Sequence, residues 1–312
     1  MRILFWGTPE FAVPSLRALD DEGFDIVAVV TQPDRPAGRG RHPRASPVKS
    51  VALDQGIDVL TPGSPREAGF LESVRELEPD VSVVVAYGHI LPPEVLAVPR
   101  LGSINVHASL LPELRGAAPI NWAIARGHQR SGVTIMRMVR EMDAGAIIQQ
   151  VEEPILADET AAELSLRLSE LGAEALIETL ALLSEEVAEE REQDHAAATF
   201  APKIDRDTAR VDWSRPAREV ALHVRSMDET PGAWSTLAGE PLKLFRPTVE
   251  SPVASTTPSE PGTVLEANGG LLVSTGENGA LRFGEVQPSG GRRMKASDWI
   301  RGRRLAPGLR FE

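Results

Sequence analysis

Residues Ile104–Ile120 read INVHASLLPELRGAAPI. The run from Gly102 to Val106 is short and apolar, as a buried strand should be, yet it carries Asn105 and ends against His107. On an extended backbone, residues two apart share a face, so Asn105 and His107 point together while Ile104 and Val106 point the other way. The next residues, Ser109-Leu110-Leu111-Pro112 and then Arg115-Gly116, are punctuated by Pro and Gly as a loop is, not as a helix start. A polar pair at the carboxyl end of a strand sits where open α/β sheets bind ligands. An amide beside an imidazole is also a device for holding an oxygen that gains negative charge during acyl transfer.

On either side of this stretch the pattern alternates. Apolar runs Ile3–Trp6, Ile26–Val30, Val81–Ala86 and Ser103–Val106 are separated by helical patterns near 10–20, 46–55, 66–77 and 118–126. Strands spaced by single helices predict βαβ units and a mostly parallel, Rossmann-like sheet. Val133–Val139 and Ala146–Val151, split by a turn at Asp143, predict an antiparallel pair closing one sheet edge. A long amphipathic helix is expected from about Thr160 to Glu186, with Ala161, Leu164, Leu168, Leu171 and Ala175 at helical spacing. Residues 187–203 lose periodicity and contain a Pro, so they are expected to link a domain of residues 1–186 to one of residues 204–312. In the second, Leu242–Phe245, Gly262–Leu265, Leu271–Ser274 and Leu281–Val286 alternate with Gly/Pro turns, the pattern of a small, OB-like β-barrel.

A doubly wound sheet raises the question of a dinucleotide. Its phosphate cradle needs several glycines after the first strand, whereas this chain offers Gly7 alone, followed by Thr8 and Pro9. The expectation there is an ordinary strand-to-helix turn, with Thr8 as its cap.

The chain has no cysteine, which excludes disulfides, thiolate zinc sites and a Cys nucleophile. No apolar run approaches the ~18 residues of a membrane span. The opening Met1–Glu10 reads as a strand already committed to the fold, and a cytoplasmic, monomeric protein is expected. The formal net charge is −12 but unevenly spread: residues from 204 onward hold 15 Lys and Arg against 14 Asp and Glu, leaving −13 on the rest. Within the acidic part, Arg35, Arg39, Arg41, Arg44 and Lys49 face Asp34 alone over residues 34–49, a local +4. Net charge governs long-range attraction, whereas contact with phosphates needs only a local patch.

The stretch around Asn105 and His107 resembles the signature of the folate-dependent formyltransferases: Asn-x-His, then Ser-Leu-Leu-Pro-x-x-Arg-Gly, then an Asp some thirty-odd residues on, here Asp143. The resemblance runs nearly full length, through Phe5–Phe11, Thr31–Gly40, Val84–Gly88, Val211–Trp213, Pro261–Val264 and Met294–Trp299. It is nearest to members that formylate methionine on initiator tRNA. Ala144 stands where the family pattern has Thr, and Glu113 where a basic residue is common.

The resemblance implies 10-formyltetrahydrofolate as formyl donor, no metal, and initiator methionyl-tRNA as acceptor. Asn105 and His107 would donate to the formyl oxygen, and Asp143 would either orient His107 or collect the proton shed by the amine. Tyr87, Gly88, Ile90, Leu91, Ser109, Leu110, Leu111 and Pro112 would wall the folate pocket. Arg35, Arg39, Arg41 and Arg44 would meet tRNA on the first domain, and Arg292, Arg293, Lys295, Arg303 and Arg304, with Arg301 beside them, on the second. His42, His89, His128, His195 and His223 lack metal-ligand spacing and read as loop, surface or packing residues. The same signature serves formyltransferases acting on glycinamide ribonucleotide or amino-sugar nucleotides and a formyltetrahydrofolate hydrolase domain, and a non-catalytic RNA-binding relative is a further alternative. The second domain and the basic loop favour tRNA.

Overall fold

The alternation of strands and helices is present in the computed structural model, which describes residues 1–37, 42–250, 259–267 and 270–312. In chain order come β1 (Arg2–Gly7), α1 (Val13–Asp21), β2 (Asp25–Val30), the hairpin strands β3 (Arg35–Ala37) and β4 (His42–Arg44), and α2 (Pro47–Asp54). They are followed by β5 (Val59–Leu60), α3 (Phe70–Glu76), β6 (Val81–Val85), α4 (Pro93–Leu96), β7 (Ser103–His107) and β8 (Arg115–Gly116). Then come α5 (Pro119–Ala125), β9 (Arg130–Arg137), β10 (Ile147–Pro154), α6 (Ala161–Ser184) and β11 (Phe200–Ala201). The chain packs as two units: Met1–Pro119, Arg130–Pro154 and Ser165–Ala201 form one; Ile120–Gln129, Ile155–Leu164 and Pro202–Glu312 form the other.

Seven strands of the first unit make one sheet in the order β10-β9-β7-β6-β1-β2-β5. The five from β5 to β7 in that order run parallel, while β9 and β10 run antiparallel at the edge, as expected. β1 and β6 are buried along almost their whole length, because both sheet faces are covered, which is why they read as unbroken apolar runs. Trp6 sits at that centre with its indole N–H donated to Ser82 Oγ at 3.1 Å. The chain leaves β1 for β2 on one side and returns to β6 on the other, so the strand order reverses beside the carboxyl ends of β1, β6 and β7.

Two local details shape that end. Thr8 caps no helix: its hydroxyl donates to the Tyr87 carbonyl at 3.0 Å, and the helical turn after it has no side-chain cap. The ends of β1 and β6 lie side by side, and a fixed carbonyl across the sheet is the nearer partner. Against β7 packs α6, where a Cβ on Gly172 would come within 2.9 Å of Val106 Cγ1. A glycine there lets the helix rest directly on the strand that carries Asn105 and His107.

The second unit contains α7 (Ala217–Ser226), β12 (Trp234–Leu237), β13 (Glu240–Glu250), β14 (Val264–Glu266), β15 (Leu271–Ser274), β16 (Ala280–Pro288), β17 (Met294–Lys295) and α8 (Ala296–Arg303). Its antiparallel sheet is ordered β12-β13-β16-β15-β14, with β17 on β16. The last residues join the two edges: Phe311 bridges Leu237 on β12, Arg310 bridges Thr263 beside β14, and Thr236 and Glu312 exchange both backbone hydrogen bonds. The curled sheet encloses Trp213, whose ring meets Phe283 edge-on and Phe311 at a tilt. Two excursions of the chain belong to this unit through specific bonds. Asn121 Nδ2 donates to the Ser226 carbonyl at 2.6 Å, Trp122 Nε1 to that of Pro202 at 2.7 Å, and Arg225 Nη1 to that of Glu159 at 3.1 Å.

At the start of α6, Thr160 and Glu163 form a capping box: the Glu163 N–H donates to Thr160 Oγ1 and the Thr160 N–H to Glu163 Oε2. The Thr160 N–H, with help from Arg246, holds the Glu163 carboxyl down at about 2, from an ordinary 4.5. A depressed acid stabilises the fold above its unfolded value and loses that contribution as pH falls through the folded one. Denaturant titrations should therefore separate wild type from Glu163→Gln above pH 4.5 and bring them together near pH 2. The side chain is 45% exposed, so the gap should stay at or below about 1 kcal/mol. A gap independent of pH would contradict the assignment.

Candidate active site

The end of β7 lies between β6 and β9, with Asn105 in register with Val84 and Met136, and His107 with Thr134. Asn105 is half-buried, and among the described residues nothing hydrogen-bonds its carboxamide. His107 is 6% exposed, and its Nε2 lies 3.1 Å from the Leu114 carbonyl. A carbonyl only accepts, so Nε2 carries a proton and Nδ1 is the ring atom turned toward Asp143. Asp143 Oδ2 is 3.8 Å from it, an ion-pair separation that is too long for a direct hydrogen bond.

Asp143 is the turn residue between β9 and β10 and has a φ of 52°, a left-handed conformation that Asp tolerates better than most side chains. Its Oδ2 accepts the Gly116 N–H at 2.8 Å. Gly116 in turn has a φ of 119°, and a Cβ there would stand 2.7 Å from the Ala201 carbonyl oxygen, so the Arg-Gly of the signature is a backbone requirement. The loop before it is fixed from β9 and β10. Thr134 Oγ1 donates to the Ser109 carbonyl and accepts the Leu111 N–H, and Gln150 Nε2 donates to the Leu111 carbonyl.

The segment expected as a linker also reaches this loop. The Leu114 N–H donates to Thr199 Oγ1, and Phe200–Ala201 pair in parallel with Arg115–Gly116. Gln193 and Arg115 are both buried and bonded to each other, and Arg115 Nη2 donates to His195 Nδ1 at 3.1 Å. Arg115 belongs to the sequence signature; Gln193, Thr199 and Thr134 carry no local signal, since their partners lie tens of residues away.

The expected folate wall divides by depth. Tyr87, Leu91, Ser109 and Leu111 are buried and form its support, whereas Gly88 and Ile90 are exposed and Leu110 and Pro112 half-buried. Tyr87 stacks edge-on against Trp6, and its hydroxyl has no partner among the described residues; burial pushes the phenol up to about 12. On the basic surfaces, Arg35 and Arg44 are exposed cross-strand partners on the β3–β4 hairpin, while Arg39 and Arg41 lie outside the described residues. Arg292, Lys295 and Arg304 are exposed; Arg301 pairs with Asp298 and Arg303 with Glu240. Arg293 is committed to its own unit. It grips the buried Asp228 with two nitrogens at 2.7 and 3.2 Å, reaches Glu285 at 2.6 Å, and lies over the Phe245 ring. Among the described residues no three His, Asp or Glu side chains group as metal ligands, and no helix is long and apolar enough to cross a membrane.

Residues 1–180 match the family model for formyl transferase, and residues 203–304 that for the formyl transferase C-terminal domain. The methionyl-tRNA formyltransferase of Bacillus cytotoxicus is 43% identical over 312 residues, covering 100% of this chain and 98% of its own. That of Bacillus subtilis is 44% identical over 308 residues, covering 98% and 96%. Among solved structures, methionyl-tRNA formyltransferase from Clostridium thermocellum aligns with a TM-score of 0.59 over 80% of this chain and 93% of its own, at 15% identity. HypX from Aquifex aeolicus in complex with tetrahydrofolic acid aligns with a TM-score of 0.65 over 96% of this chain, at 20% identity; the chain spans 47% of that protein's length. The solved structures speak to the fold; the family models and the full-length relatives reach further, and the chain belongs to the formyl transferase family.

Proposed function

We propose that this protein transfers the formyl group of 10-formyltetrahydrofolate to the α-amino group of methionine on initiator tRNA, for translation initiation, acting as a cytoplasmic monomer. The observation that carries this reading is the approach of His107 Nδ1 to Asp143 Oδ2 beside an Asn105 amide that nothing hydrogen-bonds among the described residues. Relatives that carry the name methionyl-tRNA formyltransferase over full length support the choice of acceptor.

The carboxyl ends of these strands suit such a donor, because the Asn105 carboxamide, unbonded among the described residues, can take an oxygen, and the exposed Ile90 with the half-buried Leu110 and Pro112 offers apolar surface to a ring. Bound there, the folate supplies an activated formyl group. Asn105 Nδ2 donates to the formyl oxygen, where negative charge grows as the amine attacks. The imidazole is held at Nε2 by Leu114 and presents Nδ1 on the same face of the strand. Asp143 Oδ2, 3.8 Å from that nitrogen, leaves room for an amine or water touching both, through which the proton shed by the amine passes on to the folate nitrogen as its bond to the formyl carbon breaks and tetrahydrofolate departs. No nucleophilic side chain is required, since a neutral amine attacks directly.

In this reading residues 1–186 carry the chemistry, 187–203 lead on from them while bracing the loop at Arg115, and 204–312 form a tRNA platform. Arg35, Arg39, Arg41 and Arg44 meet the acceptor on the first domain, and Arg292, Lys295, Arg303 and Arg304 meet it on the second. The family models supporting that division match residues 1–180 and 203–304. The test compares kcat/KM for methionyl initiator tRNA, glycinamide ribonucleotide and an amino-sugar nucleotide at one folate concentration. Methionyl-tRNA should lead the others by at least about 10³-fold, the discrimination expected of a site built around polar contacts to its own substrate. A small amine used as well as methionyl-tRNA would transfer the assignment to that substrate class.

A further inference from the structure

Gln193 lies in a stretch without helix or strand, yet it is 5% exposed and its carboxamide makes four hydrogen bonds. Its Nε2 donates to the carbonyls of Asp143 at 2.9 Å and Gly145 at 2.7 Å. Its Oε1 accepts from Arg115 Nε at 3.1 Å and Nη2 at 2.6 Å. These partners leave the amide one orientation, since carbonyls only accept and a guanidinium only donates. Arg115 is itself buried, and among the described residues no carboxylate pairs with it.

Both sides of this latch bear on the reacting groups. The turn side is Asp143, whose φ of 52° is left-handed, so that bonds to the turn carbonyls help hold it there. Ala144 brings no hydroxyl to brace that turn. The loop side is Arg115, flanked by Leu114, whose carbonyl takes His107 Nε2, and Gly116, whose N–H takes Asp143 Oδ2. One side chain therefore ties the support of the imidazole to the backbone of the carboxylate.

We propose that Gln193 is a positioning residue for formyl transfer: by tying the Asp143 and Gly145 carbonyls to Arg115, its carboxamide sets the approach of Asp143 Oδ2 to His107 Nδ1. The proposal rests on the assignment of Asn105, His107 and Asp143 as the reacting groups. A Gln193 that merely anchored the chain would affect stability but leave the chemistry of the folded protein unchanged.

The test measures kcat, KM for both substrates, the pH–rate profile and the thermal midpoint of Gln193→Glu and Gln193→Ala, beside Asp143→Asn. Glutamate keeps an acceptor for Arg115 but cannot donate to the turn carbonyls; alanine removes both interactions. In Gln193→Glu, kcat should fall about 30–100-fold, the scale of a misplacement near 1 Å, while KM stays within roughly threefold. Two turn carbonyls lose their donor, so its thermal midpoint should fall by several degrees, the rates being read on folded protein well below it, and its pH–rate profile should change in the same limb as that of Asp143→Asn. If the alanine variant does not fold, the glutamate variant still decides. A folded Gln193→Glu with wild-type kcat, or with lower kcat and an unaltered profile, overturns the proposal. Asp143→Asn at wild-type turnover would instead overturn the underlying assignment of Asp143. An inactive Asp143→Asn beside a fully active Gln193→Glu would remove Gln193 alone.

Discussion

Asn105→Ala is expected to lower kcat for formyl transfer about 10²–10³-fold, the usual loss when one preorganised donor to a developing oxyanion is removed. Stability should hardly change. Among the described residues the carboxamide has no partner to lose, and the backbone bonds of Asn105 to β6 and β9 survive the substitution. Uniform binding should also survive, so KM for folate should move far less than kcat. Initial rates on protein with a wild-type melting curve check this. Wild-type turnover in such protein would remove Asn105 from the reaction.

The second large effect is a failure of additivity. Substitution of His107 by Ala and of Asp143 by Asn should each cost on the order of 10³-fold in turnover, and the double variant little more than the worse single one. Independent roles would instead multiply the two losses. The expectation rests on geometry: each group faces the other at 3.8 Å, and a proton passing between them needs both. Asp143→Asn is the cleaner single change, because an amide oxygen can still accept the Gly116 N–H. His107→Ala also leaves the Leu114 carbonyl without its donor, which should cost about 1 kcal/mol of stability. A double variant with losses near the product of the singles would contradict the shared role.

The parts of this molecule that are legible in its sequence are those governed by periodicity. β1 and β6 are buried on both faces and so read as apolar runs, while Asn105 and His107 stand out by breaking such a run two residues apart. The antiparallel edge is legible because a turn at Asp143 divides two apolar stretches. The bonds that hold the site are not. Gln193, Thr199 and Thr134 act through side-chain bonds to partners 50, 85 and 25 residues away, and no local pattern encodes that distance. Thr8 reads as a cap because a hydroxyl before a helical turn usually is one; a carbonyl on the neighbouring strand takes it instead. Arg293 reads as free among other basic residues, since the buried Asp228 that claims it lies 65 positions earlier. The closing of the second unit by residues 310–312 is invisible for a similar reason: so short a segment has no period of its own.

The most direct test tracks the label itself. The protein is mixed with 10-formyltetrahydrofolate labelled in the formyl carbon and with methionyl initiator tRNA, and label in acid-precipitable tRNA is compared with folate consumed. Label should enter methionyl-tRNA one for one with tetrahydrofolate produced, and the rate should collapse in Asn105→Ala. Folate turnover with the label released as formate, or no transfer to methionyl-tRNA by folded protein, would contradict the account.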